Sequence, residues 1–210
     1  MKLQISFDMH DLERSIKIAQ SVEPFVDILE VGTILIHKYG VKAVERFTET
    51  FPDKNILADT KIVDRGQDIV SIYGKTGIKW LTVMAGTNKN VIHRVCTEAQ
   101  KYGIDVMLDI VDAEAPGQSA LDAQSLGVDA ILFHQAFDER ESLVFLDNLE
   151  MVKGNTALPV FISAKIDRHN VHKIIEMKPY GIIVGKSVTD ADDPIEEAKF
   201  YYNLCKKFSA

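Results

Sequence analysis

Cysteine is scarce in this chain of 210 residues. Cys96 and Cys205 are the only two, far apart, with no CxxC spacing and no neighbouring His ligands. That excludes a disulfide framework and a thiolate zinc cage, and leaves two buried thiols in helical segments, consistent with a reducing compartment. Long apolar runs are missing too: none approaches the roughly 18 residues of a membrane span. The opening MKLQISFD alternates like a strand, where a signal peptide would place a basic region followed by an apolar stretch. No membrane partner is expected, and a cytoplasmic location is.

Dense Lys/Arg tracts are also lacking, and the formal charge is −7. Nucleic acid and anionic membranes therefore find no electrostatic footprint, and small solutes are the expected ligands. Pro, Gly and Ser nowhere gather into a linker, and neither a low-complexity segment nor an internal sequence repeat divides the chain. A single domain over residues 1–210 is expected. Its 46% hydrophobic and 26% charged content suits a globular protein with a large core.

What is present is an alternation. Eight short apolar or β-branched runs read as strands: LQISFD (3–8), DILEVG (27–32), ILAD (56–59), WLTVMA (80–85), DVMLDIV (105–111), AILFHQ (130–135), PVFISA (159–164) and GIIVG (181–185). Amphipathic stretches such as LERSIKIAQSV, KNVIHRVCTEAQKYG and DRHNVHKIIEMKPYG lie between them, the last two expected to stop at Gly103 and Gly181. Eight βα units imply an α/β fold of the closed (β/α)8 TIM barrel type. A doubly wound open sheet would want a Gly-rich turn after the first strand, and FDMHDLERS has none.

Such barrels build their sites where the strands end, at the carboxyl face. The strand ends here carry Asp8, Glu30, Asp59 with Lys61, Asp109, His134, Ser163 with Lys165, and Gly185 with Lys186. Adjacent strands lie about 4.8 Å apart, so Asp8, Glu30 and Asp59 bring three carboxylates close together and call for a cation. Two candidates could supply it: the Lys61 ammonium acting alone in an ion network, or a hard divalent ion such as Mg²⁺, which takes one or two carboxylates and completes its shell with water or substrate oxygens.

The segment Asp59-Thr60-Lys61-Ile62-Val63-Asp64, a DxKxxD just after the third strand, resembles the signature of the orotidine 5′-phosphate decarboxylase suprafamily. MKLQISFD, DILEVGT, FPDKNILADTKIVDRG, the sixth-strand His and DADDP at 190–194 extend the resemblance over nearly the whole chain, toward the hexulose-phosphate synthases and the related keto-gulonate-phosphate decarboxylases. The resemblance implies a homodimer with shared active sites and a Mg²⁺ ion on Glu30 and Asp59. Asp8 would bond a substrate hydroxyl, Lys61 would face a developing enediolate oxygen, and His134 would move a proton. Asp64 would cross to the partner's site. The loops carrying Ser163, Lys165, Gly185 and Lys186 would take a phosphate. For a synthase the substrates would be a sugar phosphate, ribulose 5-phosphate, and formaldehyde; for a decarboxylase, 3-keto-L-gulonate 6-phosphate. A sugar-phosphate-binding barrel without catalysis is the third possibility.

Two stretches depart from these patterns. Where the decarboxylases resembled here carry an Arg three positions after the sixth-strand His, this chain has Phe137, which favours a synthase; yet of the synthase pattern HTGxDxQ only His134 and Asp138 match, while Gln135, Ala136 and Arg140 do not. After the seventh strand a Gly-Gly pair is replaced by Ser163-Ala164-Lys165-Ile166. There Lys165 is expected to supply as a point charge what backbone amides would otherwise give, and Lys186, after Gly185 on the eighth strand, stands where the decarboxylase resemblance expects an Arg, without its bidentate fork.

Overall fold

The structure, a computed structural model, describes residues 1–135 and 144–208. Eight parallel strands close into a barrel in chain order: β1 Lys2–Phe7, β2 Ile28–Val31, β3 Asn55–Ile62, β4 Trp80–Met84, β5 Asp105–Asp109, β6 Ala130–His134, β7 Val160–Ser163 and β8 Gly181–Val184. Around them run α1 Leu12–Val22, α2 Thr33–Tyr39, α3 Val41–Thr50, α4 Gly66–Tyr73, α5 Lys89–Gln100, α6 Pro116–Ala123, α7 Val144–Gly154, α8 Val171–Glu176, α9 Lys186–Thr189 and α10 Pro194–Lys207. The expected barrel is present, and each of the eight runs holds a strand. Among the described residues no helix is long and apolar enough to cross a membrane.

Successive strand residues face opposite sides, and this period of two places the whole site. One set packs inside the barrel as a small apolar cluster that includes Ile28, Leu57, Met107, Leu132, Phe161 and Ile183. Their neighbours, such as Leu29, Ala58, Leu108 and Phe133, join the larger core under the helices. Two residues beyond five of these interior positions stand Glu30, Asp59, Asp109, His134 and Ser163. The polar ring at the carboxyl end is thus the continuation of the apolar interior column, strand by strand.

Two local readings are corrected. β3 runs on to Ile62, so Lys61 belongs to the strand; the register against β4 shifts between Ala58 and Ile62, and Lys61 takes the left-handed φ of 43° at that irregularity. Gly103 is left-handed as a helix stop requires, but Gly181 is not: it opens β8, and a Cβ there would meet the Phe161 ring at 2.5 Å. The stop after α8 is made by Lys178, with φ 51°. DADDP is a helix start, in which Asp193 Oδ1 accepts from the amides of Ile195 and Glu196 at 3.0 Å each to cap α10. Cys96 and Cys205 are free and buried, and burial pushes both thiols up to about 12.

Candidate active site

The centre of the mouth is a chain of charges crossing β3, β5 and β6. Lys61 Nζ lies 2.7 Å from Asp109 Oδ2 and 3.3 Å from Asp59 Oδ2. His134 Nδ1 lies 3.0 Å from the same Asp109 oxygen. Asp109 has no exposed surface, and its second oxygen accepts the Val111 amide at 3.0 Å. Burial alone would raise the Asp109 pKa, but the His134 hydrogen bond and the His134 and Lys61 charges outweigh it and hold the carboxyl below the usual range. Burial would likewise lower Lys61, yet Asp59 and Asp109 raise it, so its ammonium stays charged. An ionised Asp109 can only accept, so Nδ1 of His134 carries a proton toward it and Nε2 is the ring nitrogen left to face a substrate.

Asp59 is held at both oxygens. Thr33 Oγ1 donates to Oδ2, and Thr82 Oγ1 donates to Oδ1 at 2.8 Å while accepting the Lys61 amide at 2.9 Å. Glu30, buried beside it, takes its one hydrogen bond among the described residues from Gln4 Nε2, at 2.5 Å to Oε2. Burial first, then the charges of Asp59 and Asp8, push the Glu30 carboxyl well above the usual carboxylate range. Asp8 stands at the open end of the mouth; poor hydration of its oxygens and the Asp59 charge raise it as well. Its carboxylate fills the space over Gly32, where a Cβ would collide with Oδ1.

Glu30 and Asp59 are the carboxylates that would hold a hard divalent ion, completed by water or substrate. Lys61 pairs with Asp59 and Asp109 and its charge also acts on Glu30, yet burial and the Asp59 and Asp8 charges still push that carboxyl up, so the carboxylates carry more negative charge than the lysine offsets. Among the described residues no group of three or more His, Cys, Asp or Glu side chains could hold an ion.

Beside the charges lies a cavity of about 290 Å³, whose walls include Asp8, His134, Ser163, Lys165, Gly185 and Lys186. The sequence-selected residues of the first, sixth, seventh and eighth strand ends therefore share one space. Lys165, in the stretch that stands for the Gly-Gly pair of the resembled pattern, takes a left-handed backbone at φ 46°, and its carbonyl accepts from Asn170 Nδ2 at 3.2 Å. Ala136, Phe137, Asp138 and Arg140, on which the choice between relatives partly turned, lie outside the described residues.

Asp64 is the site residue that this chain does not bring in. It is exposed and lines a separate groove with Arg65, Asp68, Asn88 and Arg94. Arg65 pairs with Asp68, its NH2 nitrogen 2.8 Å from Oδ2, and Asp64 has no hydrogen bond among the described residues. Val63 beside it and Ile72 on α4 are more than half exposed.

Gln4, Gly32, Thr33 and Thr82 were not singled out from sequence, and Asp109 was placed on the ring without a role. Gln4 had left a signal: the alternation of LQISFD puts a polar side chain on the face that becomes the barrel interior.

A profile of the orotidine 5′-phosphate decarboxylase / HUMPS family matches residues 1–201. The chain belongs to this family. Within it, the chain is 32% identical over 203 residues to a 3-hexulose-6-phosphate synthase of Staphylococcus epidermidis, spanning 95% of this chain and 96% of that one. To a 3-hexulose-6-phosphate synthase of Bacillus subtilis it is 28% identical over 200 residues, spanning 94% and 95%. The solved 3-hexulose-6-phosphate synthase from Salmonella typhimurium matches with a TM-score of 0.93 at 26% identity, covering 99% of this chain and 100% of that one. The solved KGPDC from Streptococcus mutans matches at 0.91 and 21% identity over 100% and 99% of the two chains, a likeness of fold.

Proposed function

We propose that this chain is a 3-hexulose-6-phosphate synthase, a Mg²⁺-dependent aldolase that condenses ribulose 5-phosphate with formaldehyde and works as a homodimer. The coarser statement, a carbon–carbon lyase, rests on family membership and the synthase relatives. The observation that carries the finer one is the shared Asp109 oxygen: it holds a charged Lys61 and, by Nδ1, His134, which lines a cavity of about 290 Å³ together with Asp8, Lys165 and Lys186.

In this reading His134 Nε2 takes a proton from C1 of the ketose phosphate. The Lys61 ammonium faces the oxygen on which the enediolate charge develops, and Asp8 accepts from a substrate hydroxyl. The C1 electron pair then forms a bond to the formaldehyde carbon, and the imidazolium returns its proton to the new alkoxide. Lys165 and Lys186 receive the phosphate, while Glu30 and Asp59 would hold the Mg²⁺ ion, whose contribution when bound is to polarise the substrate carbonyl. The exposed Asp64, next to the exposed Val63, is suited to an isologous contact in which each subunit lends this carboxylate to its partner's site.

The test is NMR of the protein with Mg²⁺, ribulose 5-phosphate and ¹³C-formaldehyde, and separately with 3-keto-L-gulonate 6-phosphate. A new carbon–carbon bond in the first mixture is the expected result. Loss of CO₂ in the second alone would identify a decarboxylase. No turnover in either, with no exchange of the C1 proton of ribulose 5-phosphate into solvent, would leave a sugar-phosphate-binding barrel.

A further inference from the structure

Gln4 lies inside the barrel with no exposed surface. Its register partners are Ile28 on β2 and Ile183 on β8, both members of the interior apolar cluster. Its Nε2 donates to Glu30 Oε2 at 2.5 Å, while its Oε1 is buried without a hydrogen-bond partner among the described residues. A buried amide oxygen left unpaired is destabilising, and a leucine or methionine would fill the same space without that penalty. The packing of the interior therefore gives no reason for an amide here. The carboxylate above it does.

The ionised form of Glu30, the one a cation needs, also sets the amide's orientation. Against that carboxylate a turned-over Gln4 would point Oε1 at an oxygen, acceptor against acceptor, and only Nε2 toward Glu30 attracts, as in the structure. Asp59 is steadied by Thr33, Thr82 and Lys61, whereas Glu30 is steadied by Gln4 alone among the described residues. Anchoring Oε2 fixes the side chain and leaves Oε1 as the oxygen without a hydrogen bond among the described residues.

We propose that Gln4 is a positioning residue for the cation site: it holds Glu30 by Oε2 so that Oε1 is presented to a divalent ion shared with Asp59. This rests on the reading that Glu30 and Asp59 are the ion's ligands. A hydrogen bond behind a ligand typically governs metal affinity by about 10–100-fold, and that is the effect assigned to Gln4.

The experiment measures Mn²⁺ binding to the substrate-free protein by electron paramagnetic resonance of the free ion, alongside metal-free thermal unfolding. It compares wild type, Glu30→Gln, Gln4→Leu and Gln4→Met. The expected result is wild-type binding that Glu30→Gln removes and that both Gln4 variants weaken by about 10–100-fold, with cooperative metal-free unfolding retained. Gln4→Met keeps the length and removes the donor, so it carries the test if Gln4→Leu does not fold. Activity adds a second readout: KM for the metal should rise, while KM for ribulose 5-phosphate at saturating metal stays near wild type. A folded Gln4 variant that binds Mn²⁺ as wild type does overturns the inference alone, and failure of both variants to fold would make Gln4 a core residue and overturn it too. If wild type binds no Mn²⁺, or Glu30→Gln binds it equally well, the ligand assignment fails first and takes this inference with it.

Discussion

His134 Nδ1 lies 3.0 Å from Asp109 Oδ2, on a carboxylate with no exposed surface. A buried acceptor at that distance sets both the ring's orientation and its tautomer. Asp109→Asn is nearly isosteric but can turn its amide nitrogen toward the ring and favour the other tautomer, with the lone pair on Nδ1. The expected fall in kcat is about 10²–10⁴-fold, the range for mispositioning a general base, with exchange of the C1 proton lost in parallel. A kcat within twofold of wild type would remove Asp109 from the mechanism.

Metal removal is expected to abolish turnover, and Mg²⁺ to restore it. Glu30→Gln and Asp59→Asn should each raise the Mg²⁺ concentration needed for half-maximal rate by at least about tenfold. Full activity in excess chelator, after elemental analysis confirms the metal is gone, would rule the ion out.

The raised pKa of Glu30 has a consequence for stability without metal. Burial and the Asp59 and Asp8 charges lift it well above the usual range, whereas the unfolded chain titrates near about 4.3. Between those two pKa values the folded protein holds a proton that the unfolded chain has released, so stability falls as pH rises through the window and grows as pH is lowered. Asp109, held low, adds its opposite dependence only below about pH 4. Metal-free Tm should therefore climb on acidification from about pH 7 toward 5, with a shallower slope in Glu30→Gln. Calorimetry in chelator showing parallel slopes would contradict this.

At the phosphate side, Lys165→Gly separates charge from conformation, because glycine accepts φ 46° freely. If the ammonium binds phosphate, Lys165→Gly and Lys186→Ala should each raise the KM for ribulose 5-phosphate by roughly tenfold at low ionic strength, with the difference shrinking in salt. An unchanged KM in both would assign the phosphate to other groups.

Asp64 permits a test by complementation. Lys61→Ala and Asp64→Asn homodimers should each be nearly inactive, while a mixed dimer combines an intact Lys61 from one chain with an intact Asp64 from the other in one of its two sites. Random mixing makes about half the dimers mixed, so recovery should approach roughly a quarter of wild-type activity. Mixed dimers that form and recover nothing would exclude a shared site.

The barrel was legible because its strands are buried on both faces and bounded by polar residues, a pattern that survives errors of a residue or two at each end. Glu30, Asp59, His134 and Ser163 were legible for the same reason, each standing two positions beyond an interior side chain. Lys61 was found, but not its conformation: the register shift in β3 depends on how β4 packs beside it, which no local pattern records. The stop after α8 was misplaced to Gly181 because left-handed backbone was sought at glycine, and Lys178 adopts it instead. The joint hold of Lys61 and His134 on Asp109 was out of reach, since it joins residues 48 and 25 positions apart through a contact that exists only once the barrel is closed.

Gly32 and Asp8 occupy one volume between them: a methyl group on residue 32 would run into the Asp8 carboxylate. What a side chain at 32 would meet is the tip of an exposed residue, and nothing of the backbone. A methyl there is therefore accommodated by swinging the Asp8 carboxylate aside, and the barrel stays as it is. The glycine acts as an aiming device: by its emptiness it decides where a carboxylate on the neighbouring strand end can rest, and a change at 32 is felt by Asp8 before it is felt by the fold.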